Sequence, residues 1–309
     1  MDNSRQISLI INPTAGGLPS RSKLNAMVKA LCEQHQIDIK TFETKAPGDA
    51  TVIARRIESA NDCDSIIVCG GDGTMNEVIN GIQNTRIKLG LIQGGTANVW
   101  AKEAGIPSDP LKALRLQLDA PAIPVDVGRI GDRKFLLMAG FGLDAATVAA
   151  VRPRVKRYFG GLAYLLAGVE MGSRYRGMHV SLQLDNDPPI KIQSNLIVIG
   201  NTRLYGGFTQ ITSKASAVDG FLDCVVFHGN GPLSTLRTIP DLLLNRSLRS
   251  NRMTYRRARH IRICPIAGHS MPTTQIDGDI KSGNNSEIYI EPAARRMIVP
   301  NIDKPVFQP

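Results

Sequence analysis

Gly70, Gly71 and Gly73 surround one carboxylate, Asp72, where the apolar run "SIIVCGG" gives way to "DGTMNEVINGI". A glycine-rich loop after a buried strand offers several backbone N–H groups to one anion, and a helix that follows adds its positive end. Glycine leaves room for a ligand to approach the backbone. Asp72 is the odd member. Beside an anion it repels, unless it pairs with a cation or accepts a proton or hydrogen bond from a hydroxyl. That combination points to a nucleotide with a metal ion. The plainer reading is a tight turn with the aspartate capping a helix. Two further stretches, "NPTAGG" (12–17) and "GGTAN" (94–98), repeat the strand–glycine–helix arrangement. Three such loops on one sheet edge would form a polyphosphate cradle. None of them has the GK[ST] ending of a P-loop or the GxGxxG spacing of a dinucleotide fingerprint.

The elements that must position these loops follow from periodicity. Over the first ~120 residues, strand-like runs ("QISLIIN", "IDIKTFET", "SIIVCGG", "IKLGLIQ") alternate with helical ones ("SKLNAMVKALCEQH", "GDATVIARRIESA", "DGTMNEVINGI", "TANVWAKEAG", "PLKALRLQL"). This alternation predicts βαβ crossovers and a mostly parallel sheet, with ligands beyond the carboxyl ends of the strands. After "PAIPVDVGRI" the character changes. "DRKFLLMAGFG", "MHVSLQLDN", "PIKIQSNLIVIGN", "GFLDCVVFHG", "HIRICP" and "SEIYIEP" read as strands of an antiparallel sandwich. Helical stretches are expected over 154–175 and over 231–245, the second broken near Pro240. The boundary is expected near Pro121 to Val125, giving domains 1–123 and 124–309, with the C-terminal tail free to pack back on the first.

Composition narrows the classes. The chain has 309 residues, 42% apolar and 21% charged, which fits about two globular domains. No apolar run approaches the ~18 residues of a membrane span. No basic n-region precedes a long apolar segment, so no signal peptide is expected. Five cysteines, Cys32, Cys63, Cys69, Cys224 and Cys264, lack CxxC spacing. A reducing cytoplasm is the expected compartment, with Cys69 and Cys224 in the core. The histidines show no ligand spacing. A net charge of +10 suits nucleic acid, anionic lipid or phosphorylated small molecules. Aromatics at 5% without basic–aromatic interleaving argue against nucleic acid.

In order along the chain stand "NPTAGG", "TKAPGDA", "GGDGTMNEVING", "GGTAN", "AGFGLDA", "KRYFGGLAYLL", "GNTRLYGG", "ASAVDGFLD" and "QIDGD". This series resembles the lipid kinase family of diacylglycerol kinase and sphingosine kinase catalytic domains, especially its bacterial soluble members. GGDGT alone is shared with NAD kinases and phosphofructokinases. The resemblance implies an NAD kinase-like parallel α/β domain followed by a β-sandwich domain. It implies ATP and Mg2+ as cofactors, a lipid acceptor such as diacylglycerol at a membrane surface, and a cytoplasmic protein that can touch the membrane peripherally. It leaves room for a homodimer. Carried over, Asn12, Gly70, Gly71, Asp72, Gly73, Thr74, Met75 and Asn76 would line the phosphates, with Thr44, Gly95 and Thr96 as further nucleotide contacts. The plainer reading of Thr44 is a strand-end hydroxyl.

"SAVDGFLD" resembles the family's structural magnesium loop. Asp219 would supply a carboxylate, Phe221 a carbonyl and Ser216 a further oxygen; the plainer reading is an Asp-Gly turn. "QIDGD" resembles the family's Asp-Gly-Glu, in which the acidic pair holds the catalytic base. Asp279 would be that base, with Asp277 or Asp72 sharing the role; the plainer reading is an Asp-Gly hairpin. Departures from the pattern are Asp279 for Glu, Val99 for Asp after "GGTAN", the uncharged Ser216, and "YGGFTQITSKA", which lacks a third glycine and a proline. Two other functions share these motifs: an NAD kinase-like enzyme acting on a soluble hydroxyl, and a nucleotide-binding regulator without turnover. The arginine-rich run "NRSLRSNRMTYRRARHIR" would either touch anionic head groups or be solvated charge.

Overall fold

A computed structural model describes residues 6–35, 37–61, 63–143, 175–207, 209–229, 231, 234, 252–281 and 287–309. The chain divides into two compact units. One is Met1–Val125 with Ala293–Lys304; the other is Asp126–Pro292 with Pro305–Pro309.

In the first unit the elements run β1 (Gln6–Ile11), α1 (Arg21–His35), β2 (Asp38–Glu43), α2 (Asp49–Ala60), β3 (Ser65–Gly70), α3 (Asp72–Gly81), β4 (Lys88–Gln93), α4 (Val99–Ala104) and α5 (Pro110–Asp119). The strands lie in the order β2-β1-β3-β4, and every pair is parallel. All six residues of β3 are buried, as an inner strand covered on both faces requires. The helices bury one stripe each: Leu24, Val28 and Leu31 in α1, Ala50, Ala54 and Ile57 in α2. α5 starts where Asp109 accepts a hydrogen bond from the Lys112 amide (2.7 Å) and Pro110 fills the first turn.

The second unit is a β-sandwich built from β5 (Ala122–Ile130), β6 (Arg133–Phe135), β7 (Met138–Gly142), β8 (Met178–Leu184), β9 (Ile190–Gly200), β10 (Leu204–Tyr205), β11 (Thr209–Gln210), β12 (Leu222–His228), β13 (Met253–Ala258), β14 (His260–Pro265), β15 (Thr274–Ile276), β16 (Asp279–Lys281) and β17 (Glu287–Ile298). β9 organises it: β7, β8 and β12 all pair with it antiparallel. Alternate residues of these strands, among them Phe141, Val180, Ile197, Ile199, Cys224 and Val226, form one apolar core.

The expected single strand "DRKFLLMAGFG" is two strands. The amides of Leu136, Leu137 and Met138 turn away from the ladder to the Asp277 carboxylate. β5 is one continuous strand across the stretch read as a boundary, and its last five residues belong to the second unit. β17 ends in the first unit, where Arg296 and Met297 pair in parallel with Lys88 and Leu89 of β4. Apart from Tyr175, Gly231 and Ser234, the helices expected over 154–175 and 231–245 lie outside the described residues.

Candidate active site

The order β2-β1-β3-β4 reverses direction between β1 and β3, so the loops that leave those two strands diverge and open a crevice. Main-chain hydrogen bonds stitch the three glycine loops there. The Asn12 amide donates to Cys69 O (2.9 Å), Gly94 N to Gly70 O (2.8 Å) and Gly17 N to Gly94 O (3.0 Å). The glycines do two different jobs. A Cβ on Gly71 would lie 3.1 Å from Gly95 Cα, and one on Gly95 would lie 2.7 Å from Gly71 Cα. Here glycine lets two backbones touch. Around Gly73 nothing lies within 4 Å of such a Cβ. Of the three glycines flanking Asp72, only Gly73 faces open space.

Asp72 is a helix cap, but not of its own helix. Its carboxylate accepts hydrogen bonds from the amides of Val99 (2.9 Å) and Trp100 (3.1 Å), the first residues of α4. Asn98, which precedes α4, is left-handed (φ 48°) and its side chain does not cap that helix; it bonds instead to Gly95 N and O. Burial raises the Asp72 pKa, and the two amides oppose that rise. The carboxylate therefore locks the loop after β3 to the loop after β4. α3 has no such side-chain cap: its N-cap is Gly71, and its first turn presents N–H groups beside Gly73.

The other expected nucleotide contacts fall around this point. Asn12 donates to Thr74 Oγ1 (3.1 Å) and accepts from the Thr14 amide and hydroxyl. Thr74, Met75 and Asn76 are buried in the first turn of α3, and Thr96 is exposed. Thr44 is buried, with its amide 2.9 Å and its hydroxyl 3.5 Å from Ile11 O, as a strand-end hydroxyl would be.

Two supporting residues escaped the sequence reading. Glu77 accepts from the Gly48 (2.9 Å) and Ala50 (3.1 Å) amides, which fastens α3 to the start of α2 and to "TKAPGDA". Gly48 could not cap that helix itself, and an acidic residue one turn into a helix carries no other mark. Arg295 is buried and donates to Ile79 O and Ile82 O (2.7 Å each) at the far end of α3. Its partners lie more than 200 residues away in sequence, so nothing local could reveal it.

In the second unit, Asp277 and Gly278 form the two-residue turn between β15 and β16, with φ of 48° and 85°. Left-handed backbone at both positions is what an Asp-Gly hairpin supplies. The Asp277 carboxylate is filled by the amides of Leu136 (2.8 Å), Leu137 (3.0 Å) and Met138 (2.9 Å). Asp279 is 61% exposed and pairs with Arg133 at 2.5 Å. Of the two, Asp279 is the more exposed, and its carboxylate is not taken up by backbone amides.

Asp219 is closed in. Its Oδ1 accepts the Phe221 amide (2.9 Å), and its Oδ2 pairs with Arg257. Burial raises its pKa against those two partners. The Ser216 hydroxyl is buried 3.4 Å from both Val306 O and Val218 N. As arranged, these residues do not fit a divalent cation, because a guanidinium already sits on the carboxylate. Among the described residues no group of three or more His, Cys, Asp or Glu side chains is placed to hold a metal.

Residues 6–130 match the diacylglycerol kinase catalytic domain, and residues 138–299 match the YegS C-terminal NAD kinase beta sandwich-like domain. The chain is 30% identical to a diacylglycerol kinase of Bacillus subtilis (strain 168) over 262 residues, 84% of this chain and 86% of the relative. The chain belongs to the diacylglycerol kinase family. A second relative, from Staphylococcus haemolyticus (strain JCSC1435), is 32% identical over 71% of this chain and 66% of its own. In three dimensions, a Bacillus anthracis str. Sterne protein assigned as a diacylglycerol kinase superposes with a TM-score of 0.80 at 26% identity, covering 96% of this chain and 97% of the other. Membership makes the protein a kinase with an alcohol acceptor, of lipid kinase type. Among the described residues no helix is long and apolar enough to cross a membrane.

Proposed function

We propose that this family member transfers the γ-phosphate of ATP to a lipid hydroxyl such as that of diacylglycerol. The observation that carries the nucleotide half is the uncapped first turn of α3, opening onto the empty space at Gly73. A triphosphate laid there meets backbone N–H groups and the positive end of a ten-residue helix. Asn12, Thr74 and Thr96 supply side-chain donors at the same strand ends. Met1–Val125 with Ala293–Lys304 is then the nucleotide-binding unit, and the sandwich is the acceptor unit. Mg2+ travels with the nucleotide as counter-ion to its phosphates.

Phosphoryl transfer asks for positioning, charge neutralisation and a place for one proton. The acceptor oxygen forms a bond to the γ-phosphorus, the bond to the β,γ-bridging oxygen breaks, and ADP leaves. The hydroxyl proton goes to a carboxylate. Asp279 suits that role because it is exposed, whereas the Asp277 and Asp72 carboxylates are filled by backbone amides. Arg133 fixes the Asp279 side chain in one orientation. Docking onto an anionic bilayer is supported by the net charge of +10 and by exposed arginines on and beside β13 such as Arg252 and Arg256.

The test is incubation with γ-labelled ATP, magnesium and a total lipid extract, followed by phase separation. Label in a chloroform-soluble phospholipid is the expected outcome. Label confined to water-soluble products would overturn the lipid acceptor and favour a soluble hydroxyl.

A further inference from the structure

We infer that Arg257 occupies the place that the family resemblance gives to a divalent cation, so that an internal ion pair holds the Ser216–Asp223 loop without magnesium. Three acidic side chains lie within electrostatic reach of one another there, Asp219 feeling both Asp126 and Asp223, without converging as a set of metal ligands. Asp126, Asp219 and Asp223 are each almost fully shielded from solvent. Asp126 accepts the Gly220 amide (2.7 Å). Asp219 accepts the Phe221 amide, two residues on. Neither oxygen of Asp223 is hydrogen-bonded among the described residues; the Tyr255 hydroxyl lies near it but outside hydrogen-bond geometry. Buried carboxylates in such number need a cation, since burial strips each charge of its hydration.

The sheet delivers that cation. In the β12–β13 ladder Arg257 lies directly opposite Asp223, so both side chains leave the same face as close neighbours. From there the guanidinium passes over the Phe221 ring, 4.8 Å from its centre, and reaches Asp219 Oδ2. Arg259, two residues on along the chain, also lies on that ring at 4.7 Å. The Asp219 side chain is 7% exposed and that of Arg257 44%, so the carboxylate is inside and the cation plugs it from outside. A magnesium ion needs oxygen at about 2.1 Å and near-octahedral space. At Asp219 Oδ2 that space is taken by a positive group that repels it. A planar guanidinium that stacks and hydrogen-bonds at once is suited to the site where an ammonium is not.

Thermal melting of the full-length protein, without nucleotide, tests this. Wild-type melts in chelator and in excess magnesium should superimpose. Arg257→Met should melt lower in chelator by several degrees, because it leaves a shielded carboxylate without its partner. Magnesium should then raise its melting temperature, because the loop carboxylates have lost their cation. A saturable magnesium-dependent rise in the wild type that Asp219→Asn removes would overturn the proposal. So would an Arg257→Met protein that melts like wild type, or one that magnesium leaves unmoved. Should Arg257→Met fail to fold, equilibrium dialysis of manganese against wild type and Asp219→Asn decides. Identical binding by the two supports the internal pair, and an ion lost with Asp219→Asn refutes it.

Discussion

The glycine–aspartate loops of the two units look alike in sequence and work in different ways. In the first unit Gly71 and Gly95 are there because two backbones touch, and Asp72 reaches across that contact to cap a neighbour's helix. In the second, Gly278 is there because a two-residue turn demands left-handed backbone; nothing crowds it within 4 Å. The Asp277 carboxylate reaches back to the break between β6 and β7. In both units the aspartate inside the turn is a fastener of backbone amides. Asp279, just past its turn, is the exception. A carboxylate's place in a motif therefore does not reveal its job; the number of amides already on it does.

The largest effect should separate Asp279 from Asp277. A placed base contributes about 10²- to 10⁴-fold to proton transfer, so Asp279→Asn should lower turnover by about that factor. Its melting temperature should barely change, because an exposed pair such as Arg133–Asp279 contributes about 0–1 kcal/mol. Asp279→Glu should stay active. Asp277→Asn should do the reverse, losing stability by about 1–3 kcal/mol as amides lose a charged acceptor. Turnover per folded molecule, measured beside a denaturation curve for each variant, checks both. An Asp277→Asn protein that is stable but inactive would reverse the assignment.

Next in size is Asp72. Removing a carboxylate that serves two amides at a helix start should cost about 2–3 kcal/mol. Asp72→Ala should thus lose nucleotide binding and melt early, as α4 comes away from the loop after β3. A variant that melts like wild type yet transfers no phosphate would mean that Asp72 acts in the chemistry itself.

A third test uses pH on the sandwich alone. Burial pushes the Asp223 carboxyl up to about 6, against the pull of Tyr255 and Arg257. In the unfolded chain it sits near 3.9. Between about 4 and 6 the folded state binds the extra proton, so this residue's contribution to stability falls as pH rises through that window and is flat above it. Relative to wild type, Asp223→Asn should gain on going from pH 4 to pH 7, by at most about 3 kcal/mol. Parallel stability–pH curves for the two proteins would remove the shift.

Much of the first unit is legible in the chain because helices and buried parallel strands carry strong periods. The three loops are legible because glycine clusters mark strand ends. In the second unit the strands show, but not which parts of them pair; the break at Leu136–Leu137 is set by Asp277, some 140 residues on. At the site, the identities Asn12, Asp72, Gly73 and Thr74 stand out, yet their partners do not. Asp72 spans 27 positions to Val99, and Arg295 reaches Ile79 from the last strand. Likewise, "SAVDGFLD" reads as a cation loop because its oxygens are local, while Arg257 comes from another strand. What composition and spacing leave out is how each polar group is satisfied across the fold.

The smallest structural effect should carry the sharpest contrast. Gly73→Ala places a methyl group where nothing lies within 4 Å, in the first turn of a helix with ordinary right-handed backbone. Alanine is favoured over glycine in helices by about 0.5–1 kcal/mol, so the variant should be as stable as wild type or slightly more so. Gly95→Ala, by contrast, drives a Cβ to 2.7 Å from Gly71 Cα and should cost about 1–3 kcal/mol. If the space at Gly73 receives the nucleotide's phosphates, Gly73→Ala should weaken ATP binding while leaving folding intact. Titration calorimetry with a non-hydrolysable ATP analogue, run beside melting curves of both variants, reads the two effects apart. Undiminished affinity in Gly73→Ala would move the phosphates away from the first turn of α3, leaving Gly70 and Gly71 explained by packing and Gly73 by neither packing nor ligand.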